Sequence, residues 1–143
     1  MKKTVALKMG VKENTKAFFK NADIEAIENI GLPPLDISIE LNGRFDYIHL
    51  FTENQAEFNE HFPKLKLYLK PSGMLWVSWP KGGKLGTDLN MKTVIRLGYD
   101  FGLVESKCLS INGIWSGLKF TYPKEGKVYN NSYGKLKISY KNR

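Results

Sequence analysis

The chain has 143 residues, a single cysteine and a formal charge of +8. That length suits one domain with a real core; the lone Cys108 excludes an internal disulfide and a cysteine-rich metal site. No apolar run approaches the roughly 20 residues of a membrane helix, and Lys8 interrupts the apolar start at once, so a signal peptide is rejected and a cytoplasmic location is expected.

From the amino terminus, residues 2–9 read as a short amphipathic helix, with Val5, Leu7 and Met9 partly inward and Gly10 as its stop. Lys12 to Thr15 is a turn, and Lys16 to Lys20 a short strand. Asn21 or Asp23 caps a helix that carries Ile24, Ile27 and Ile30 on one face and ends at Gly31, before Pro33-Pro34. Asp36 to Leu41 alternates as a half-covered strand, and Asn42-Gly43 turns the chain. Phe45 to Phe51 is the next strand. Thr52-Glu53-Asn54-Gln55 fits a capping box, and Phe58, Phe62, Leu65 and Leu69 repeat at helical spacing, with Pro63 expected to kink or restart the helix.

Leu69 to Pro80 organises the rest: a helix end, a Pro71-Ser72-Gly73 turn, then a strand from Met74 to Trp79 that is apolar enough to be covered on both faces. Pro80 stops it, and the loop Lys81 to Gly86 lies just beyond its carboxyl end, where open α/β sheets hold ligands. Thr87 or Asp88 caps a further helix with Met91, Val94, Ile95 and Phe101 inward. Leu103 to Ile111 and Ile114 to Tyr122 form a hairpin about Asn112-Gly113. Alternation followed by a hairpin gives an α/β fold: a three-layer, mostly parallel sheet with a C-terminal antiparallel hairpin. Residues 1–122 make that domain. Residues 123–143 are a basic, Tyr-rich extension read as an added edge hairpin, in which Leu136, Ile138 and Tyr140 alternate.

Three separated strings, Pro71 to Lys81, Thr87-Asp88-Leu89 and Trp115 to Lys119, resemble a bacterial family of small proteins of unknown function. That family looks like a reduced S-adenosylmethionine-methyltransferase-like Rossmann domain, and the likeness spans about Gly10 to Tyr122. It implies the fold and no established activity. One departure stands out: a methyltransferase needs a glycine-rich turn after its first strand so that backbone can approach the cofactor. Here the turn is Lys20-Asn21-Ala22-Asp23-Ile24, so S-adenosylmethionine is disfavoured as a cofactor. Glu40, near the end of the second strand, is a weak candidate for ribose hydroxyls.

Several side chains are candidates for ligand binding. Ser78, Lys81, Thr87 and Asp88 flank the glycine-rich loop and suit an anionic group. Against that, Thr87 and Asp88 also suit simple helix capping, and the glycine spacing matches no phosphate loop. Trp76, Trp79 and Trp115 could line a pocket for a planar ligand, with Ser78 and Ser116 as neighbours for a buried indole N–H, though aromatic packing is the plainer reading. Lys119 is unusual inside a strand. His49 and His61 lack converging metal ligands, and Cys108 reads as a small buried hydrophobe.

Charge is uneven. Met1 to Trp79 holds ten Lys+Arg against ten Asp+Glu, and Pro80 to Arg143 holds twelve against four. Basic residues interleaved with Tyr122, Tyr129, Tyr133 and Tyr140 suit single-stranded nucleic acid; lysines on an edge strand equally deter aggregation. The reading is an uncharacterised small Rossmann-like protein, non-catalytic, binding an anionic small ligand or a protein partner. The alternatives are a methyltransferase-like enzyme and nucleic-acid binding through the basic half.

Overall fold

The structure, a computed structural model, describes residues 4–129 and 131–136. In chain order it contains α1 (Val5–Met9), β1 (Lys16–Lys20), α2 (Ile24–Ile30), β2 (Asp36–Ile37), β3 (Phe45–Phe51), α3 (Gln55–Lys66), β4 (Leu69–Pro80), a 3-10 segment (Lys81–Gly86), α4 (Met91–Asp100), β5 (Val104–Ser110) and β6 (Trp115–Thr121). The strands form one six-stranded sheet in the order β2-β1-β3-β4-β6-β5. The first four run parallel, and β6 is antiparallel to both β4 and β5.

Two apolar layers sandwich the sheet. On one face Ile48, Leu50, Leu75, Val77, Trp79, Leu118 and Phe120 meet Phe58, Phe62 and Leu65 of α3 and Val94, Ile95 and Leu97 of α4. On the other, Tyr47, Phe51, Trp76 and Trp115 meet Ala6 and Met9 of α1 and Ala26 and Ile30 of α2. Both faces of β3 and β4 are therefore covered, which is why these strands are nearly continuous apolar runs.

β1 and β3 form over the residues expected. Several other elements differ, each for a local reason. In α1 the pair three residues apart that faces inward is Ala6 and Met9, so Leu7 points outward and is exposed. In α2 the buried pair is Ala26 and Ile30; Ile24, beside the cap, is exposed. β2 pairs for only two residues. Beyond it the Ser38 amide still donates to the Ala17 carbonyl at 2.9 Å, but the Ser38 hydroxyl donates to the Glu40 carbonyl and accepts from the Glu40 amide, so local bonds take over from the ladder.

Thr52 does not cap α3. The cap is Asn54, whose side-chain oxygen accepts from the Glu57 amide at 2.8 Å, while the Glu57 carboxylate reaches back to the Glu53 amide. Pro63 does not restart the helix, which continues to Lys66. Leu69 already belongs to β4, opposite Phe45, and Pro71-Ser72-Gly73 is a bulge rather than a turn between helix and strand, because the register resumes at Tyr47 opposite Met74. Gly73 is suited to the bulge: a Cβ there would meet the Phe45 carbonyl oxygen at 2.9 Å.

Asn90, not Thr87 or Asp88, caps α4 through the Thr93 amide, and Met91 is exposed. Within α4, Gly98 lets the Phe120 ring close on the helix backbone. The described residues of the extension, 123–129 and 131–136, contain no strand. Tyr129 and Leu136 pack on the α3–α4 layer, and Asn131 hydrogen-bonds Glu105. Ile138 and Tyr140, on which the strand expectation also rests, lie outside the described residues.

Candidate functional site

Two edges of the parallel sheet could carry function, and ligands of open α/β sheets favour the carboxyl edge. The chain leaves β1 through Asn21-Ala22-Asp23, β2 through Ser38, β3 through Thr52 and β4 through Lys81. Asn21 is left-handed at φ 57, a conformation asparagine tolerates and glycine usually supplies. The Asp23 carboxylate accepts from the Ala26 amide at 3.0 Å and caps α2. Beside this turn lies a cavity of about 380 Å³ at the ends of β1 and β2, walled by Phe18, Phe19, Ile37 and Ile39 with Lys20 and Asn21 at its rim.

Beneath the same edge runs a buried polar chain. The Tyr47 hydroxyl pairs with His49 Nδ1 at 2.6 Å, and His49 Nε2 pairs with the Ser78 hydroxyl at 2.7 Å. All three residues are fully buried. Burial drives the His49 pKa down to about 3 and the Tyr47 pKa well above its ordinary value. The ring is therefore neutral at pH 7, donating through one nitrogen and accepting through the other. It stacks on Phe51 with centroids 4.5 Å apart. The alternation of β3 places Tyr47, His49 and Phe51 on one face; nothing in the sequence says that Ser78, 29 residues away, completes the chain.

The sequence candidates do not converge on one cavity. Ser78 is committed to His49. Trp79 is 4% exposed within the α3–α4 layer, whereas Trp115 lies on the opposite layer, edge-on to Phe51. Ser116 is half-buried and sits across from Trp79 in the β4–β6 ladder. Trp76 gives its indole N–H to Met74 Sδ. Lys81 donates to the Ser110 hydroxyl. Thr87 accepts from the Leu89 amide, and Asp88 accepts from the Gln55 amide at 2.9 Å, helping to close the start of α3. Glu40 is exposed beyond β2. Lys119 lines a cavity at the amino edge of the sheet.

Cys108 is exposed rather than buried; desolvation and then the Glu105 charge push its thiol above the ordinary value, so it is not activated. Among the described residues no group of three or more His, Cys, Asp and Glu could hold a metal, and no helix is long and apolar enough to cross a membrane.

This topology and these layers are shared with solved structures. The ribosomal protein L11 methylase of Lactobacillus delbrueckii subsp. bulgaricus superposes with a TM-score of 0.53 at 12% identity, covering 84% of this chain and 77% of that one. A TehB-like SAM-dependent methyltransferase from Corynebacterium glutamicum gives 0.53 at 8% identity, covering 82% and 85%. The chain has a methyltransferase-like Rossmann fold. Identities this low establish the scaffold and carry no activity with it. At the level of sequence, no family model and no curated protein matches the chain.

Proposed function

We propose that this chain is a non-catalytic ligand-binding module on a methyltransferase-like scaffold and that it works without S-adenosylmethionine. The observation that supports this is the turn after β1. Only Asn21, Ala22 and Asp23 separate β1 from α2. A cofactor-binding turn presents bare backbone amides at the helix start. Here a carboxylate of the chain already takes one of them, and its charge repels a second carboxylate. The residues after β1 thus do not fit an adenosylmethionine site.

The neighbouring cavity suits a different ligand. Phe18, Phe19, Ile37 and Ile39 make part of its lining apolar, Asn21 and Ser38 make part of it polar, and Lys20 supplies one positive charge. That combination fits a small apolar or aromatic molecule bearing a single anionic group. Calorimetric titration with S-adenosylmethionine tests the first half: no heat of binding is expected up to about 1 mM, and a low-micromolar Kd would restore the enzyme reading. Anilinonaphthalene sulfonate, an aromatic anion, tests the second. Its fluorescence on the folded protein should drop strongly in Ile39→Asp and in Lys20→Glu. Unchanged fluorescence in both variants would remove this cavity from consideration.

A further inference from the structure

A second cavity, also of about 380 Å³, lies at the opposite edge of the sheet, by the amino ends of β3 and β4. Its wall carries Lys12, Thr15, Ser72, Lys119 and Thr121, with Gly10 leaving the backbone bare on one side. Four elements supply these groups: the turn after α1, the entry to β1, the β4 bulge and the end of β6. We propose that this cavity binds a phosphoryl group, as a phosphate ester or a pyrophosphate, between Lys12 and Lys119. The proposal is independent of the carboxyl-edge reading, since the two sites share no residue.

The charge pattern carries it. Lys119 stands directly across from Lys107 in the β5–β6 ladder. Like charges in that position repel and destabilise a sheet. Lys107 turns its ammonium to the Lys8 carbonyl, a neutral acceptor, and Glu105 is engaged elsewhere, by Tyr99 and Asn131. On the other flank of Lys119 is Trp76, equally without charge to offer.

The one carboxylate on the cavity wall is Asp46. Lys70 pairs with its Oδ1 at 2.9 Å and the Lys16 amide donates to its Oδ2 at 2.9 Å. Burial alone would raise its pKa; these hydrogen bonds outweigh burial and hold the carboxyl below its ordinary value. Asp46 is thus ionised and already balanced by Lys70, so Lys12 and Lys119 face the cavity without a carboxylate of their own. A dianion between them would offset the Lys107–Lys119 repulsion, with the Ser72 and Thr121 hydroxyls at hand for the remaining oxygens; the Thr15 hydroxyl is spent on the Lys12 carbonyl at 2.9 Å and helps to shape the turn. The scale of the cavity allows a ligand larger than inorganic phosphate.

The test uses inorganic pyrophosphate and the full chain, followed by calorimetry and by the shift in melting temperature. Lys12→Met/Lys119→Met removes the site. Lys124→Met/Lys127→Met removes the same charge from the extension and controls for general attraction to a basic protein. We expect the parent and the control to bind alike, and the site variant to bind at least about tenfold more weakly. Without ligand, Lys119→Met should melt no lower than the parent, because it relieves a repulsion. Lys12 is exposed on a turn, so Lys12→Met alone preserves the test if the double variant folds poorly. Equal weakening in both double variants, or no binding by the parent at about 10 mM, would overturn the proposal.

Discussion

The amide of Gln55, which opens α3, donates to the carboxylate of Asp88, 33 residues further along, and the Gln55 side chain returns the contact to the Asp88 carbonyl. Asp88 therefore anchors the segment after β4 to the start of a helix it does not precede. Asp88→Ala should cost about 0.5–2 kcal/mol, the range for losing a side-chain acceptor at a helix start. Asp88→Asn, which keeps the acceptor, should cost less than half of that. Urea midpoints at constant denaturant slope would check both; a neutral Asp88→Ala would mean that water replaces the contact.

His49 makes the fold acid-sensitive above the carboxylate range. Its folded pKa is about 3 against an ordinary 6.5, so below 6.5 the unfolded chain takes up a proton that the folded chain refuses. Stability should then fall with pH from about 6, by up to about 1.4 kcal/mol per unit, and the loss ends near the folded value. Asp46 acts lower: its contribution is complete above 3.8 and disappears as pH drops through its depressed folded value. In His49→Gln the decline between pH 6 and 4.5 should be much flatter, whatever the starting stability. Denaturant titrations at several pH values would measure it, and an unchanged slope would show that His49 is protonated in the folded protein.

Gly98 should tolerate no side chain. Alanine normally stabilises a helix interior by about 1 kcal/mol over glycine. Here its Cβ would clash with Phe120 Cε1, and Phe120 is fully buried. Gly98→Ala should therefore destabilise by about 2–3 kcal/mol through overpacking. Pairing it with Phe120→Leu should return part of the loss, and thermal melts of the two variants and the double would reveal the coupling.

Removing residues 123–143 should leave a cooperative fold with a lower melting temperature. Among the described residues the last strand ends at Thr121, and Tyr129 and Leu136 cover part of the α3–α4 layer. Their burial is worth about 2–3 kcal/mol. Two tyrosines of the extension are already engaged by the chain's own lysines, Tyr129 by Lys127 and Tyr133 by Lys92. Single-stranded oligonucleotides should accordingly bind weakly at physiological salt. Fluorescence anisotropy showing tight binding that truncation abolishes would make the extension a nucleic-acid arm.

Elements legible in the sequence were those whose own composition decides them. Lys16 to Lys20 and Phe45 to Phe51 are short apolar runs between strong breakers, and both strands end where the breakers stand. Caps were harder. Thr52 and Asn54, or Thr87, Asp88 and Asn90, are all chemically competent, and only the path of the chain selects among them. The shortening of β2 goes with the Glu40 backbone bonding to the Ser38 hydroxyl in preference to a ladder, a competition that composition does not rank. Lys119 was visible as an anomaly, yet the residues that share its cavity lie in four distant segments.

The hydrogen-bonded series Tyr47, His49 and Ser78 acts as a key between two strands. Ser78 stands opposite Phe51 and diagonal to His49, and a slip of β4 by one residue would carry it to the other layer. That error would strand polar groups in the dry interior, at a cost of roughly 1–3 kcal/mol for each group left unpaired. Two strands made almost wholly of interchangeable hydrophobic residues thus discriminate against a one-residue slip, and the discrimination comes from four buried polar atoms.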